Sequence, residues 1–233
     1  MDGYILDLRK NMDIKHQKKP QYFPHKHRPT NYGATHQKVQ PTDTSPHLND
    51  KGIKRVQGIV GALLYLGISV NNKLPVALSA IRSQKAAPIE ETATAIEQLM
   101  DYVATYPDDG IHFRKNDMIL ASHAYAGFLN ESKSRSRAGA HIFISENEPK
   151  SKINGPVLTI SQIIKTVMAL AAESEMASLY ITSKNMIPLR NKLIEMGWTQ
   201  PQTPIQTDNS TALGFTNKKM VNKATKSADM KLW

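Results

Sequence analysis

The hydrophobic period of the chain changes at the turn sequence YPDDG, residues 106–110, and this change constrains the fold most. Between Gly52 and this turn, apolar residues recur at three- and four-residue intervals, which is typical of helices. After the turn, apolar and polar residues alternate, which is typical of strands, and helical patterns return further on. The order predicts an α+β or α/β layer fold with a mixed sheet and flanking helices, preceded by a small helical unit.

Three helices are predicted in residues 52–110. The first carries apolar residues at helical spacing, the second has Pro75 near its first turn, and the third opens at Pro88. The predicted apolar stripes of the first and third helices consist of Ile53, Val56, Ile59, Val60, Leu63, Leu64, Ile96, Leu99, Met100 and Val103.

Residues 111–233 begin with three strand candidates, IHFRKNDMILASHAYAGF, SRSRAGAHIFIS and GPVLTIS, separated by polar links. These indicate an antiparallel meander. Periodicity next allows a helix from about Ser161 to Ser183, and Pro188 begins another that ends at Gly197. A strand, IQT, and a short helix, NSTALGFTN, follow.

Residues 1–51 read as a flexible basic arm, rich in His and Pro, with one short helical turn around Tyr4, Ile5 and Leu8. The net charge of the chain is +10 and its sequence pI is about 9.6, which favours polyanionic partners such as nucleic acid. An exposed basic linker without a specific partner is the alternative.

Cysteine is absent, so disulfides and thiolate metal sites are excluded. No apolar run of about 18 residues occurs, and the N-terminus has no signal-peptide core. We expect a soluble intracellular protein, cytoplasmic or nuclear, without a membrane span.

Two acidic residues stand where an apolar element ends or turns inward, and carboxylates from a helix and a strand end can converge on one cation. Glu175 lies in the apolar helical run AAESEMASLY, and Asp208 follows the strand IQT. Such a pair suits Mg²⁺, which prefers oxygen ligands. The alternatives are that Asp208 caps the following helix and that Glu173 and Glu175 lie solvated on an exposed helix face.

Several motifs, in order from Gly52 onward, resemble the Pol polyprotein of copia-type retrotransposons. GIKRVQGIVGALLYLGISVNNKLPVALSAI resembles the segment that follows the reverse transcriptase palm. AAESEMASL resembles the "STEAEY" helix of the family's ribonuclease H domain, IQTDNSTAL its "CDNQSA" turn, and TKSADMKLW its "TKHIDIRYH" run. The resemblance implies that VLTIS is a strand, that TVMAL is extended and that the main helix begins near Ala171.

The resemblance also implies site roles. Ribonuclease H folds cleave RNA in RNA–DNA hybrids with two Mg²⁺ ions held by carboxylates. Glu175 and Asp208 match two of these ligands. Aligned on apolar residues, the first aspartate position falls on Tyr125, which is neutral at pH 7 and bulky. The fourth acidic position would follow Trp233, and Asp229 matches an acid that is not a ligand.

Three functional hypotheses follow. The first is a ribonuclease H-like Pol fragment, ancestrally Mg²⁺-dependent, that has lost catalysis. The second is an active nuclease whose site is completed by a partner chain, Glu131 or Asp117. The third is a non-catalytic module that binds an RNA–DNA hybrid or another nucleic acid through the basic arm and through Lys133, Arg135 and Arg137.

Overall fold

The computed structural model describes residues 3–12, 14, 19–26, 44–131, 134–148 and 151–217. The described residues divide into two compact units, and the second begins at His112. No helix in these described ranges is long and apolar enough to cross a membrane. The motif TKSADMKLW, with Asp229, and Lys133 lie outside the described residues.

The first unit contains four helices: α1 (Tyr4–Asn11), α2 (Asp50–Ser69), α3 (Pro75–Ser83) and α4 (Glu90–Thr105). Helix α2 begins two residues before the predicted start, because the side chain of Asn49 caps it by accepting a hydrogen bond from the amide of Gly52. Pro75 is the first residue of α3, and α4 ends at the predicted turn. Of the ten predicted stripe positions of α2 and α4, eight are buried, and Ile53 and Leu64 are half-buried.

Helix α1 differs from the predicted arm because it packs into the first unit. Ile5 and Leu8 join the same hydrophobic core as α2, α3 and α4. Arg9 is buried as well, and it donates a hydrogen bond to the carbonyl of Met100 and forms an ion pair of 3.0 Å with Asp101. Helix α1 thus packs into the core of the first unit through Ile5 and Leu8, and its buried Arg9 is paired. Residues 27–43 of the arm lie outside the described part.

The second unit is built on a mixed sheet in the strand order β3-β2-β1-β4. Strands β1 (Ile119–Glu131), β2 (Arg135–Ser145) and β3 (Pro156–Ile163) pair antiparallel, as the meander prediction requires. The short β4 (Ile205–Gln206) pairs parallel to β1, with Ser122 opposite Ile205 and His123 opposite Gln206. This α+β arrangement is consistent with a ribonuclease H-like domain.

One long helix, α5 (Ala171–Glu195), covers one face of the sheet, and a short helix, α6 (Ser210–Thr216), follows β4. Helix α5 begins at Ala171, as the family resemblance implied. Two local predictions were wrong: α5 continues through Pro188 instead of restarting there, and residues 166–170 form no strand. Gly197 ends the helix as predicted, with a φ of 90° that favours glycine.

Candidate functional site

Helix α5 lies close to β1 and β2 because its inner stripe consists of small hydroxyl residues. Ser178 Oγ contacts the carbonyl oxygens of Tyr125 at 2.7 Å and Gly139 at 3.2 Å. Ser174 Oγ is 2.9 Å from Ser136 Oγ. Ser174, Ser178 and Thr182 are each 0% exposed, so these hydrogen bonds are made without competition from water. This contact fixes the first turns of α5 against the middle of β1.

Glu175 is held inside this helix–sheet contact. Its side chain is 8% exposed, and Oε1 accepts a hydrogen bond of 3.0 Å from the amide of Ala126. Oε2 is buried and has no hydrogen-bond partner among the described residues. Glu173 is also buried, and its Oε2 accepts a hydrogen bond from the amide of Ala169. The alternative in which both glutamates are solvated is therefore wrong.

Asp208 lies just beyond the end of β4 and is exposed. It does not cap α6. The cap is Asn209, whose side-chain oxygen accepts a hydrogen bond of 2.9 Å from the amide of Ala212. The prediction that Asp208 caps this helix is therefore wrong, because the next residue, Asn209, is the cap. Since β4 pairs with β1 up to His123, Asp208 follows at the level of the Ala124–Ala126 segment.

The ionisation of Glu175 is governed mainly by its burial. Burial raises the pKa of Glu175 above its ordinary value, and the negative charge of Asp208 raises it further. The hydrogen bond from the Ala126 amide acts in the opposite direction and does not cancel the increase. The charge of Asp208 therefore acts on Glu175, and a shared site for the two carboxylates stays a prediction.

Tyr125 does not belong to this pair. Its hydroxyl lies 3.2 Å from Nδ1 of His123, and the two rings make an edge contact at 6.3 Å. Successive side chains in a strand point to opposite faces. Ala124, which packs against Met176 and Leu179 of α5, lies on the α5 face, so Tyr125 and His123 lie on the other. A carboxylate at residue 125 would point away from Glu175, and the predicted position of the lost aspartate is corrected accordingly.

The acidic residues suggested as replacements are engaged elsewhere. Glu131 forms an ion pair with Arg137, with 2.6 Å between Oε1 and Nε. Asp117 lies before the start of β1, at the opposite end from Glu131, and its Oδ2 accepts a hydrogen bond from the amide of Asn147. Neither residue is placed beside Glu175 and Asp208.

The basic residues of the β1–β2 hairpin also differ from the prediction. Arg137 was proposed to contact phosphate, but its side chain is only 7% exposed and is ion-paired with Glu131. Arg135 is half-buried and lies opposite Glu131 in the ladder. A buried, paired guanidinium is not available to a nucleic acid backbone, so Arg137 is removed from the predicted interface.

The donor set does not fit the two-ion Mg²⁺ site that the family resemblance implies. Within the described ranges, no group of three or more His, Asp or Glu side chains is positioned to hold a metal ion. The unpartnered Oε2 of Glu175 and the exposed carboxylate of Asp208 are two suitable oxygen donors. The β1 residues of matching alternation nearest Glu175 are Ser122, Ala124 and Ala126, and none of these three carries a carboxylate.

Two features of the site were missed from the sequence. Asn209 was read as part of the helix rather than as its cap, although it stands three residues before the amide it caps. The face of β1 on which each residue lies was not predicted. Ile119, Leu120 and Ala121 are all buried, so alternation alone does not show that Ala124, and not Tyr125, packs against α5.

Comparisons with known proteins agree with the motif resemblance at a coarse level. No family model matches the chain. Over 172 residues, 74% of its length, the chain is 22% identical to a retrovirus-related Pol polyprotein from transposon TNT 1-94 of tobacco, Nicotiana tabacum. The chain spans 12% of that polyprotein. The similarity supports a relationship with a segment of a retrotransposon Pol polyprotein.

Proposed function

We propose that the second unit is a degenerate ribonuclease H-like domain of a copia-type retrotransposon polyprotein, no longer able to cleave RNA–DNA hybrids. In this interpretation the first unit is the segment that follows the reverse transcriptase palm. The observation that carries the proposal is the buried Glu175 on α5, whose Oε1 bonds to the amide of Ala126 in β1 and whose Oε2 has no partner among the described residues. Asp208 follows β4, the strand parallel to β1, so the helix and strand-end carboxylates occur in the chain order of the resemblance, and the residues of β1 nearest Glu175 carry no carboxylate.

The loss of catalysis follows from the charge of the site. Two Mg²⁺ ions carry four positive charges, and two carboxylates neutralise half of them. Without a carboxylate from β1, the ions that would activate water and stabilise the leaving oxygen are not retained in a fixed geometry. In this proposal the ancestral reaction is Mg²⁺-dependent cleavage of the RNA strand. The present chain keeps the fold of that domain but not its catalysis.

The test is a cleavage assay with the purified chain, a labelled RNA–DNA hybrid and Mg²⁺. We expect no cleavage above the level of an Asp208→Asn variant, which removes one of the two remaining carboxylates. Cleavage by the unmodified chain that is abolished both by Asp208→Asn and by Glu175→Gln would contradict the proposal. Such a result would favour the active nuclease completed by another group.

The second candidate, non-catalytic binding of nucleic acid, is favoured by the net charge of +10. Because Arg137 is buried and paired, this binding would depend on other cations of the chain. The measurement is the affinity for an RNA–DNA hybrid, by fluorescence anisotropy, over a series of salt concentrations. We expect affinity to fall steeply with salt, and Lys133→Gln to reduce the slope by about one.

A matched variant distinguishes phosphate contact from stability. Arg137→Gln removes a buried ion pair, so we expect it to lower the melting temperature and to leave the salt slope unchanged. A hybrid affinity that is independent of salt would eliminate the candidate, because phosphate contacts are its source of affinity.

A further inference from the structure

Strand β3 forms one edge of the sheet in the second unit, and it pairs with β2 on one side only. The pairing runs from Leu158 to Ile163 without a break in register. The strand at the opposite edge, β4, is two residues long, and a short edge strand is one of the ways in which proteins avoid pairing with other chains. Strand β3 therefore presents the longer of the two edges of this sheet.

The direction of the backbone groups of β3 follows from its pairing with β2. The amide of Ile164 donates a hydrogen bond of 2.8 Å to the carbonyl of Ser136, so the even-numbered residues of β3 bond to β2. The amides and carbonyls of Thr159, Ser161 and Ile163 therefore point away from the sheet. No residue in the described ranges forms a hydrogen bond with these outward backbone groups.

The sequence of this edge lacks the features that discourage strand pairing. The run LTISQI, residues 158–163, contains no charged residue, no proline and no glycine. Pro156 and the irregular register beside it affect only the first residues of the strand. A regular, uncharged edge rich in β-branched residues is suited to pairing with another strand.

We propose that β3 is the interface of a symmetric dimer, in which the β3 strands of two copies pair antiparallel and join the two sheets into one. A second copy fits this edge because the edge is self-complementary. When Ser161 lies opposite the same residue of the second copy, Thr159 lies opposite Ile163, and the three outward residues of each strand exchange about six backbone hydrogen bonds. Neither strand carries a charge, so no like charges are opposed. The interface uses the same patch on both copies and therefore closes at two.

This interface is separate from the residues on which the proposed function rests. Glu175 bonds to Ala126 of β1, and β2 lies between β1 and β3. Edge pairing uses backbone groups in the plane of the sheet and leaves the face that α5 covers unchanged. Dimerisation and nuclease activity are therefore measured independently.

The first experiment is sedimentation velocity of the whole chain over a concentration range of about 5 to 500 μM. We expect the average mass to rise from 26.0 kDa towards twice that value. Thr159→Pro removes an outward amide that the pairing with β2 does not use, so it should weaken the dimer at least about tenfold without unfolding the monomer. Thr159→Val is the matched control, because it keeps both the amide and the β-branched shape, and it should dimerise like the unmodified chain.

The second experiment uses the absence of cysteine from the chain. In the proposed register the two Cα atoms of residue 161 lie about 5.5 Å apart, which is within the range that a disulfide spans. Ser161→Cys should therefore form a disulfide-linked dimer on oxidation at least about tenfold faster than Gln202→Cys. Gln202 is exposed in the same unit and lies outside β3, so its variant reports random encounters.

Three outcomes would overturn the inference. One is a mass of 26.0 kDa at every concentration. Another is a dimer that Thr159→Pro leaves as stable as before. The third is equal cross-linking of Ser161→Cys and Gln202→Cys, and this comparison decides if Thr159→Pro does not fold. A failure of the proposed function would instead show as hybrid cleavage by the unmodified chain.

Discussion

The two units of the chain use their interiors in different ways. In the first unit, sixteen buried apolar residues form one continuous core shared by α1, α2, α3 and α4. In the second unit, fourteen of the buried apolar residues fall into three smaller clusters, with six, four and four members, and Ile119, Ala121 and Phe143 are buried outside these clusters. Between these clusters lie Ser136, Ser174, Glu175, Ser178 and Thr182, all buried.

The second unit contains buried polar side chains that lower its stability. Buried hydroxyls and carboxylates stabilise a fold less than the apolar groups that would fill the same space, unless all their hydrogen bonds are made. The buried polar side chains of the first unit, Arg9, Asn71 and Thr92, have hydrogen-bond partners. The interior of the second unit keeps an unpartnered carboxylate oxygen on Glu175, which packing does not explain.

The largest expected effect comes from the continuous core. Leu63 is 0% exposed, and Leu63→Ala should lower the free energy of unfolding of the first unit by about 3 kcal/mol. Hydrogen exchange of peptides from α2 measures the change. The matched control is Tyr65→Ala on the same helix, because Tyr65 is 59% exposed and its truncation should change exchange little. Equal effects of the two variants would contradict a packed core around Leu63.

A smaller effect is expected from the hydroxyl stripe of the second unit. Ser178→Ala leaves the carbonyls of Tyr125 and Gly139 without this donor and should cost about 1–2 kcal/mol in urea denaturation. Ser183→Ala is the control on the same helix, since Ser183 Oγ bonds only to the carbonyl of Leu179 in the preceding turn. If Ser178→Ala were neutral, α5 would be attached to the sheet by apolar contacts alone.

The comparison also separates what the sequence predicts well from what it does not. The helices of the first unit follow from periodicity, because each has one apolar stripe facing one core. The three strands of the meander follow from alternation. In contrast, the region from Ser161 to Gly197 was ambiguous, because a helix that packs with serine, alanine and glutamate on its inner side carries a weak apolar pattern.

The candidate site follows from the sequence only in part. The motif resemblance identifies Glu175 and Asp208, because residues in such motifs are determined by their chemical role and not by hydrophobic periodicity. The face of Tyr125 was not, because an alignment that slips by one residue moves a strand side chain to the other face. The ion pair between Arg137 and Glu131 was also not predictable, since it depends on the register of the hairpin.

The third prediction concerns Glu175 and has the opposite sign. A buried carboxylate with one unpartnered oxygen is destabilising when ionised, and glutamine keeps the acceptor for the Ala126 amide without the charge. Glu175→Gln should therefore stabilise the second unit at pH 7 by about 1 kcal/mol, measured by urea denaturation monitored through Trp198. Glu195→Gln, at the exposed end of the same helix, should change stability little. A clear loss of stability in Glu175→Gln would mean that the charge is used in the fold.

The smallest effect is expected on the opposite face of the sheet, at His123. Burial lowers the pKa of His123 below its ordinary value, and the neighbouring His141 lowers it further. Below pH of about 6.5 the unfolded chain binds a proton at this residue that the folded chain does not bind. The free energy of unfolding should therefore fall as the pH decreases from about 6.5 towards the lowered pKa, and His123→Gln should make this decrease shallower. His112→Gln is the control, since His112 is exposed. If both variants keep the pH dependence of the unfolding free energy of the unmodified chain, that dependence arises from other groups. His123, on the face of the sheet that carries Tyr125, would then not contribute to it.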